Sequence, residues 1–238
     1  MFNLNHRINR LLIKLSYRFG VSKLYSMPKM LALDPTNRCD LKCPLCPTGL
    51  RDKTVDRGSI KLEQFKSIVD RLAKNLQSIN LYSWGEPLLN KSLVDMIRHT
   101  AINHKVRTIT SVHLGNLSNE QVEGLMTSGL DKLIVSVDGA TQEVYEKYRV
   151  GGDIEKVFAN MTRLMEAKKR HDSEVNVVWN FLVMKQNEHQ MDMARERAKE
   201  IGVDITFSIM RTNLKDDIIG KVEDNIKNDA EWIPENPD

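Results

Sequence analysis

From Met30 onward, short apolar runs rich in β-branched residues alternate with stretches in which apolar positions recur every three or four residues, as strands and helices do when they take turns. The strands this predicts are Met30 to Asp34, Ser78 to Tyr82, Val106 to Ser111, Lys132 to Val137, Val175 to Met184 and Asp204 to Ile209. Between them Leu62, Phe65, Ile68, Val69, Leu72 and Leu76 make one helical face, and Leu93, Met96 and Ile97 another. Ser118 with Gln121 predicts a capping box and Gly129 the end of that helix, while Asn187 and Gly202 bracket a later one. Such βα units, joined by right-handed crossovers, build a parallel sheet that is either open and doubly wound or curled into a partial barrel. Periodicity does not choose between them, but in both the reactive groups belong in loops after the carboxyl ends of the strands.

Ahead of the first strand, Ile8, Leu11, Leu12, Leu15 and Phe19 recur at helical spacing among Arg7, Arg10, Lys14, Arg18, Lys23 and Lys29, with no acid through Met30. This basic amphipathic helix is expected to pack its apolar stripe on the domain and to solvate its charges. The other reading is a membrane-surface contact through residues 1–25, or an organellar presequence. No apolar run suits a signal sequence or a membrane span. From Lys215 to Asp238 the chain turns acidic and ends in a Pro-containing stretch with Trp232. The expected organisation is therefore an N-terminal segment 1–29, a catalytic unit 30–212 and a tail or linker 213–238. With 238 residues, 41% of them hydrophobic and 28% charged, the composition is that of an ordinary globular protein, expected in the cytoplasm. A net charge of +3 gives no ground for a nucleic-acid partner.

Cys39, Cys43 and Cys46 are the only cysteines, spaced Cys-x3-Cys-x2-Cys in the segment DPTNRCDLKCPLCPTGL just after the first strand. Three thiolates without a fourth suit a centre that takes three protein ligands and keeps one position open, as a 4Fe-4S cluster with one open iron does. A tetrahedral zinc completed by His99, His104 or His113 is the alternative. An odd count in a chain of this length argues against a disulfide framework.

The cysteine segment resembles the cluster-binding loop of the radical S-adenosylmethionine (SAM) superfamily. The second strand leads into YSWGEPLLN, where Gly85, Glu86 and Pro87 resemble that family's Gly-Gly-Glu-Pro motif, with Trp84 in place of the first glycine. The resemblance implies an α/β fold of the (β/α)6 partial TIM-barrel type, carrying one 4Fe-4S cluster on the three cysteines. It also implies that Gly85, Glu86 and Pro87 receive the SAM amino group, that Ser136 and Asp138 lie at its ribose, and that Arg149 meets its carboxylate. Read locally instead, Ser136 and Asp138 form an Asp-Gly turn before a cap at Thr141, and Arg149 pairs on the surface with Glu143 or Glu146. Asn180 and Met184, and by position Ile209, Met210 and Arg211, fall where the family holds adenine, whereas His113 reads as a satisfied loop histidine.

The implied activity is reductive cleavage of SAM to methionine and a 5′-deoxyadenosyl radical, which takes hydrogen from a substrate. That substrate would be a peptide, a protein or a natural-product precursor, and the electron would come from an external donor such as flavodoxin or ferredoxin. The resemblance is nearest to the SPASM and Twitch branches, yet the auxiliary-cluster cysteines of those enzymes are missing here. A truncated iron–sulfur partner without turnover, and a Cys3His zinc protein, are the rival readings.

Overall fold

In the computed structural model, which describes residues 4–51, 53–210, 232 and 234, the chain is a run of βα units. Its strands are β1 (Met30–Ala32), β2 (Ser78–Asn80), β3 (Arg107–Val112), β4 (Lys132–Ser136), β5 (Asn176–Val183) and β6 (Asp204–Ile209). Its helices are α1 (Leu4–Arg18), α2 (Leu62–Leu72), α3 (Leu93–Arg98), α4 (Asn119–Thr127), α5 (Gln142–Tyr148), α6 (Ile154–Arg170) and α7 (Met191–Ile201). The six strands are parallel and lie in sequence order. A doubly wound sheet reverses its strand order part-way, so this order excludes it and leaves the partial barrel.

The middle strands β3 and β4 alternate in environment. Ile79, Leu133, Val135, Trp179 and Phe181 are buried on one face, with Phe65 and Val69 of α2, Met96 and Ile97 of α3, Leu125 of α4, and Met161 and Leu164 of α6 in the same core. Asn80, Ser111, Ser136 and Asn180 point to the other, concave face and are only half buried. Ser111 and Ser136 share a hydrogen bond of 3.2 Å across β3 and β4 on that face. The sheet thus has a greasy back that takes the helices and a polar hollow that stays open.

β1 and β2 are shorter than expected. The backbone amide of Leu33 still pairs with the Asn80 carbonyl, but at Asp34 the side chain takes over and accepts from the Trp84 amide at 3.1 Å. On α2, Ile68 proves to be solvent-exposed, the core-facing positions being Phe65 and Val69. The capping box Ser118–Gln121 and the left-handed Gly202 after α7 form as expected. Asn187 does not cap a helix with its side chain. It is buried and staples loops, donating to the Asp138 and Leu182 carbonyls and accepting from the Met184 amide.

The largest departure concerns α1. Its apolar stripe does not pack on the domain: Ile8, Leu11, Leu15 and Phe19 are exposed, and only Leu12 is half buried. The buried residue is Asn9, whose side chain donates to the Met27 carbonyl at 2.9 Å and accepts from the Met27 amide at 2.8 Å. A buried amide side chain must find partners, and this pair fixes the rotation of the helix with Asn9 inward. Of the tail, Trp232 accepts a backbone bond from Lys185 and sets its ring 5.6 Å from that of Tyr148.

Candidate active site

The loop after β1 carries the three cysteines and is tied down at several points. Asn90 donates to the Pro35 carbonyl at 2.7 Å, the Thr36 hydroxyl to Gly58 at 2.8 Å, and the Lys42 amide to Val150 at 3.0 Å. The Glu86 amide donates to the Arg38 carbonyl at 2.8 Å, which sews the turn after β2 directly onto this loop. The contact is so close that a Cβ on Gly85 would sit 1.8 Å from the Thr36 carbonyl oxygen. Gly49 is similarly cramped, since a Cβ there would lie 2.3 Å from the carbonyl oxygen of Cys43. Glycine is the residue that permits backbones to approach in this way.

Cys39, Cys43 and Cys46 line one cavity of about 200 Å³ together with Tyr82 to Glu86, Ser111, His113, Ser136, Tyr148 and Arg149. It opens at the carboxyl ends of the strands, where both barrel and open-sheet enzymes keep their chemistry. Gly85, Glu86, Ser136 and Arg149 therefore meet the cysteines at one wall, as the sequence resemblance implies. Pro87 backs that wall as the first residue of the short turn Pro87–Leu89, which Glu86 caps through the Leu88 amide at 3.3 Å.

The other predicted residues stand behind the cavity. Asp138 is fully buried: one oxygen accepts from the Leu182 amide at 2.9 Å and the other from Nε of Arg149 at 2.5 Å. It positions the guanidinium and leaves the remaining nitrogens of Arg149 to the cavity. The surface pairing of Arg149 with Glu143 or Glu146 does not occur, for Lys147 takes Glu143 and Gln142 takes Glu146. Asn180 lies on the concave face, register partner of Ser136, and accepts from the Ser208 hydroxyl at 2.8 Å. Met210 packs with Met184, Leu41, Cys43 and Tyr148 in an apolar shell beneath the cysteine loop. Arg211 lies outside the described residues.

Two acids and a histidine link the cysteine loop to the rest of the wall. The His113 amide donates to Oε2 of Glu86 at 2.8 Å, and Nε2 of its ring contacts Oδ1 of Asp40 at 2.7 Å. The Gly115 amide donates to Nδ1, so the ring proton sits on Nε2 and is given to Asp40. Burial disfavours a charged ring, but Glu86 and Asp40 outweigh it and raise the pKa, while the Gly115 amide, which needs a bare Nδ1, opposes them. Burial also raises the pKa of Glu86, partly offset by His113. The buried Cys43 thiol is pushed up to about 11 by desolvation, against the pull of Arg149. Asp40, Tyr82, Ser111 and Tyr148 are site residues that pattern alone did not single out. Ser111 shares the face of Ser136 and Tyr148 precedes Arg149, whereas nothing local marks Asp40 beyond its neighbour Cys39.

The donor set distinguishes the two metal readings. His99 and His104 both contact Oδ1 of Asp70 at 2.7 Å, forming a cluster of their own. Among the described residues, Cys39, Asp40 and His113 have ligand atoms within 4.8 Å of one another, but the three sulfurs do not form such a group. A single tetrahedral zinc would hold sulfurs about 3.8 Å apart. Thiols spread around one cavity suit a polynuclear cluster, which takes thiolate ligands.

A family model described as the Radical SAM superfamily matches residues 33–198. The chain belongs to the radical SAM superfamily. Superfamily members use a 4Fe-4S cluster and SAM, the cofactors that the three thiols and the adjoining polar wall fit. Among relatives, the AdoMet-dependent heme synthase of Methanosarcina barkeri is 28% identical over 74% of this chain and 48% of its own length. The PqqA peptide cyclase of Rhodopseudomonas palustris is 29% identical over 78% of this chain and 47% of its own. The chain thus spans about half the length of these superfamily relatives. Streptococcus suis SuiB bound to SAM superposes with a TM-score of 0.68 at 17% identity, over 86% of this chain and 45% of that one, a likeness of fold.

Proposed function

We propose that this chain is the catalytic barrel of an enzyme that cleaves SAM reductively and acts on a substrate lying across the open concave face. The observation that carries the reading is the convergence of Cys39, Cys43 and Cys46 with Gly85, Glu86, Ser136 and Arg149 on one cavity. In this reading the three thiolates hold the 4Fe-4S cluster, which supplies an electron to SAM and so generates the radical chemistry of the superfamily. Glu86 and the backbone at Gly85 take the SAM amino group, and the free guanidinium nitrogens of Arg149 take its carboxylate, a planar donor matched to a planar acceptor. Ser136, which lines the same cavity, would meet the ribose. Tyr148 and the shell of Met184 and Met210 keep water from the cluster, since apolar packing on Cys43 leaves it buried.

A peptide is the substrate class we favour. One relative is named a peptide cyclase, and the hollow lined by Ser111, Ser136, Asn180 and Ser208 offers hydroxyl and amide groups along an exposed surface rather than a closed small-molecule pocket. The electron is expected from a flavodoxin or ferredoxin.

Anaerobic reconstitution with iron and sulfide, reduction with dithionite in the presence of SAM, and chromatography for 5′-deoxyadenosine tests the reading. Deoxyadenosine that disappears in Cys43→Ala supports it. A reconstituted cluster with no cleavage would favour the non-catalytic iron–sulfur partner, and stoichiometric zinc with no iron would overturn it.

A further inference from the structure

The apolar stripe of α1 faces solvent in a part of the chain that contains no acidic residue before Asp34. At 100° per residue, Ile8, Leu11 and Leu15 fall within an arc of about 60°, and Arg7, Lys14 and Arg18 occupy the adjoining arc of about 40°. Beyond the helix further apolar side chains are exposed: Phe19 is 70% exposed, Leu24 61% and Tyr25 74%. Isolated exposed hydrophobics are ordinary, but several on one helix beside cations of a single sign mark an interaction surface. The face that meets the protein is centred on Asn9, with Ile8 at its edge, and is held by the paired hydrogen bonds between Asn9 and Met27. The stripe cannot turn inward without breaking them.

We propose that α1 and the segment to Tyr25 dock this protein on an anionic lipid surface, lying in the interface with the leucine stripe down. The charge decides the occupant. A second copy would bring the same cations face to face with these, whereas acidic headgroups complement them and the aromatic rings suit the boundary between headgroup and acyl chain. The placement within the fold agrees. Ile8, Asn9 and Leu12 share a surface depression with Arg71, Lys74 and Asn75, next to the loop that feeds β2, and the Gln77 amide bonds the Lys29 carbonyl just before β1. That is the amino-terminal end of the sheet, opposite to the cysteine loop. Docking there holds the cavity away from the lipid and open to substrate and electron donor. No described helix is long and apolar enough to cross a membrane, so this is attachment to one leaflet.

The test is co-sedimentation of the full chain with vesicles of phosphatidylcholine alone and of phosphatidylcholine mixed with phosphatidylglycerol. Two variants accompany the wild type, Leu11→Glu/Leu15→Glu and Arg7→Gln/Lys14→Gln/Arg18→Gln, all at exposed positions and checked for unchanged circular dichroism. The wild type should bind the anionic vesicles, release from them as salt rises, and bind the neutral ones weakly. The leucine variant should lose binding, and the charge variant should lose more than about tenfold in affinity, as removal of three cations at such a surface implies. Absence of wild-type binding, equal binding to both vesicle types, or binding that neither variant alters would overturn the proposal. So would a wild-type dimer in light scattering that the leucine variant dissociates while neither binds lipid, which would give the stripe to a second copy.

Discussion

Gly85 has no room for a methyl group. An added Cβ would meet the Thr36 carbonyl carbon at 2.7 Å as well as its oxygen, and the backbone cannot retreat because the Glu86 amide is bonded to Arg38. Gly85→Ala must therefore push the cysteine loop and the turn after β2 apart. We expect a loss of about 1–3 kcal/mol in a urea titration, the range for forced overpacking, together with weakened SAM binding by calorimetry. An alanine variant as stable as the wild type would show that the two loops slide freely. Asp138 and Arg149 make the second sharp case at this scale. Removing the carboxylate leaves a largely buried guanidinium facing the Tyr148 ring with its charge uncompensated. Asp138→Ala should cost about 3 kcal/mol, the low end for a broken buried pair because Arg149 borders a cavity. In Asp138→Ala/Arg149→Met most of that loss should return. A double-mutant cycle by denaturation measures the coupling, and simple additivity of the two changes would deny it. Sequence alone brought both residues to the site through family resemblance, which implies that Asp138 lies at the SAM ribose. That its carboxylate also accepts from Arg149 and the Leu182 amide depends on a strand 44 residues away, which no local pattern reports.

At the scale of elements, what the sequence made legible is what short-range physics determines. The capping box of α4 needs only Ser118 and Gln121, and β3 to β6 follow from short apolar, β-branched runs, so these fall within a residue or so of expectation. The orientation of α1 was not legible. Its apolar stripe suggested an inward face, yet a single asparagine bonded to Met27, 18 residues on, decides the rotation. Ile68 failed for a related reason, since a stripe wider than its contact leaves its edge in solvent. The same scale holds the clip between α2 and the turn after α3, where Asp70 meets His99 and His104. Hydrogen bonds from His104 and His99 lower the Asp70 pKa in the folded state. An acid with a lowered folded pKa contributes stability that is present above its unfolded pKa and lost as pH falls through the folded value. The melting-temperature gap between wild type and Asp70→Asn should thus persist from neutral pH down to about pH 4 and close below it. A gap that stayed as wide at pH 2 as at neutrality would mean that the carboxylate is not the partner of these rings.

For the molecule as a whole, the cysteines lie outside the main core. That core runs from Phe65 to Val203 across all the helix-facing strand positions, whereas Cys43 belongs to a smaller apolar group with Leu41, Tyr148, Met184 and Met210. The partition implies that the barrel folds on its own apolar contacts and that the metal-binding loop is a separate, weaker unit laid over its mouth. A cluster that binds the folded loop and not the unfolded chain adds its binding free energy to stability, so loading should raise the melting temperature of a chain already folded without it. Substituting Cys43→Ser changes one buried atom of that smaller group and removes a ligand. Its melting temperature should lie close to that of the unloaded wild type and should not rise on reconstitution. Anaerobic calorimetry with iron analysis on the same samples makes the comparison. If the unloaded wild type showed no cooperative transition, the cluster would be a structural staple for the whole barrel. If instead Cys43→Ser gained as much as the wild type, the stabilising metal would sit somewhere other than the three thiols.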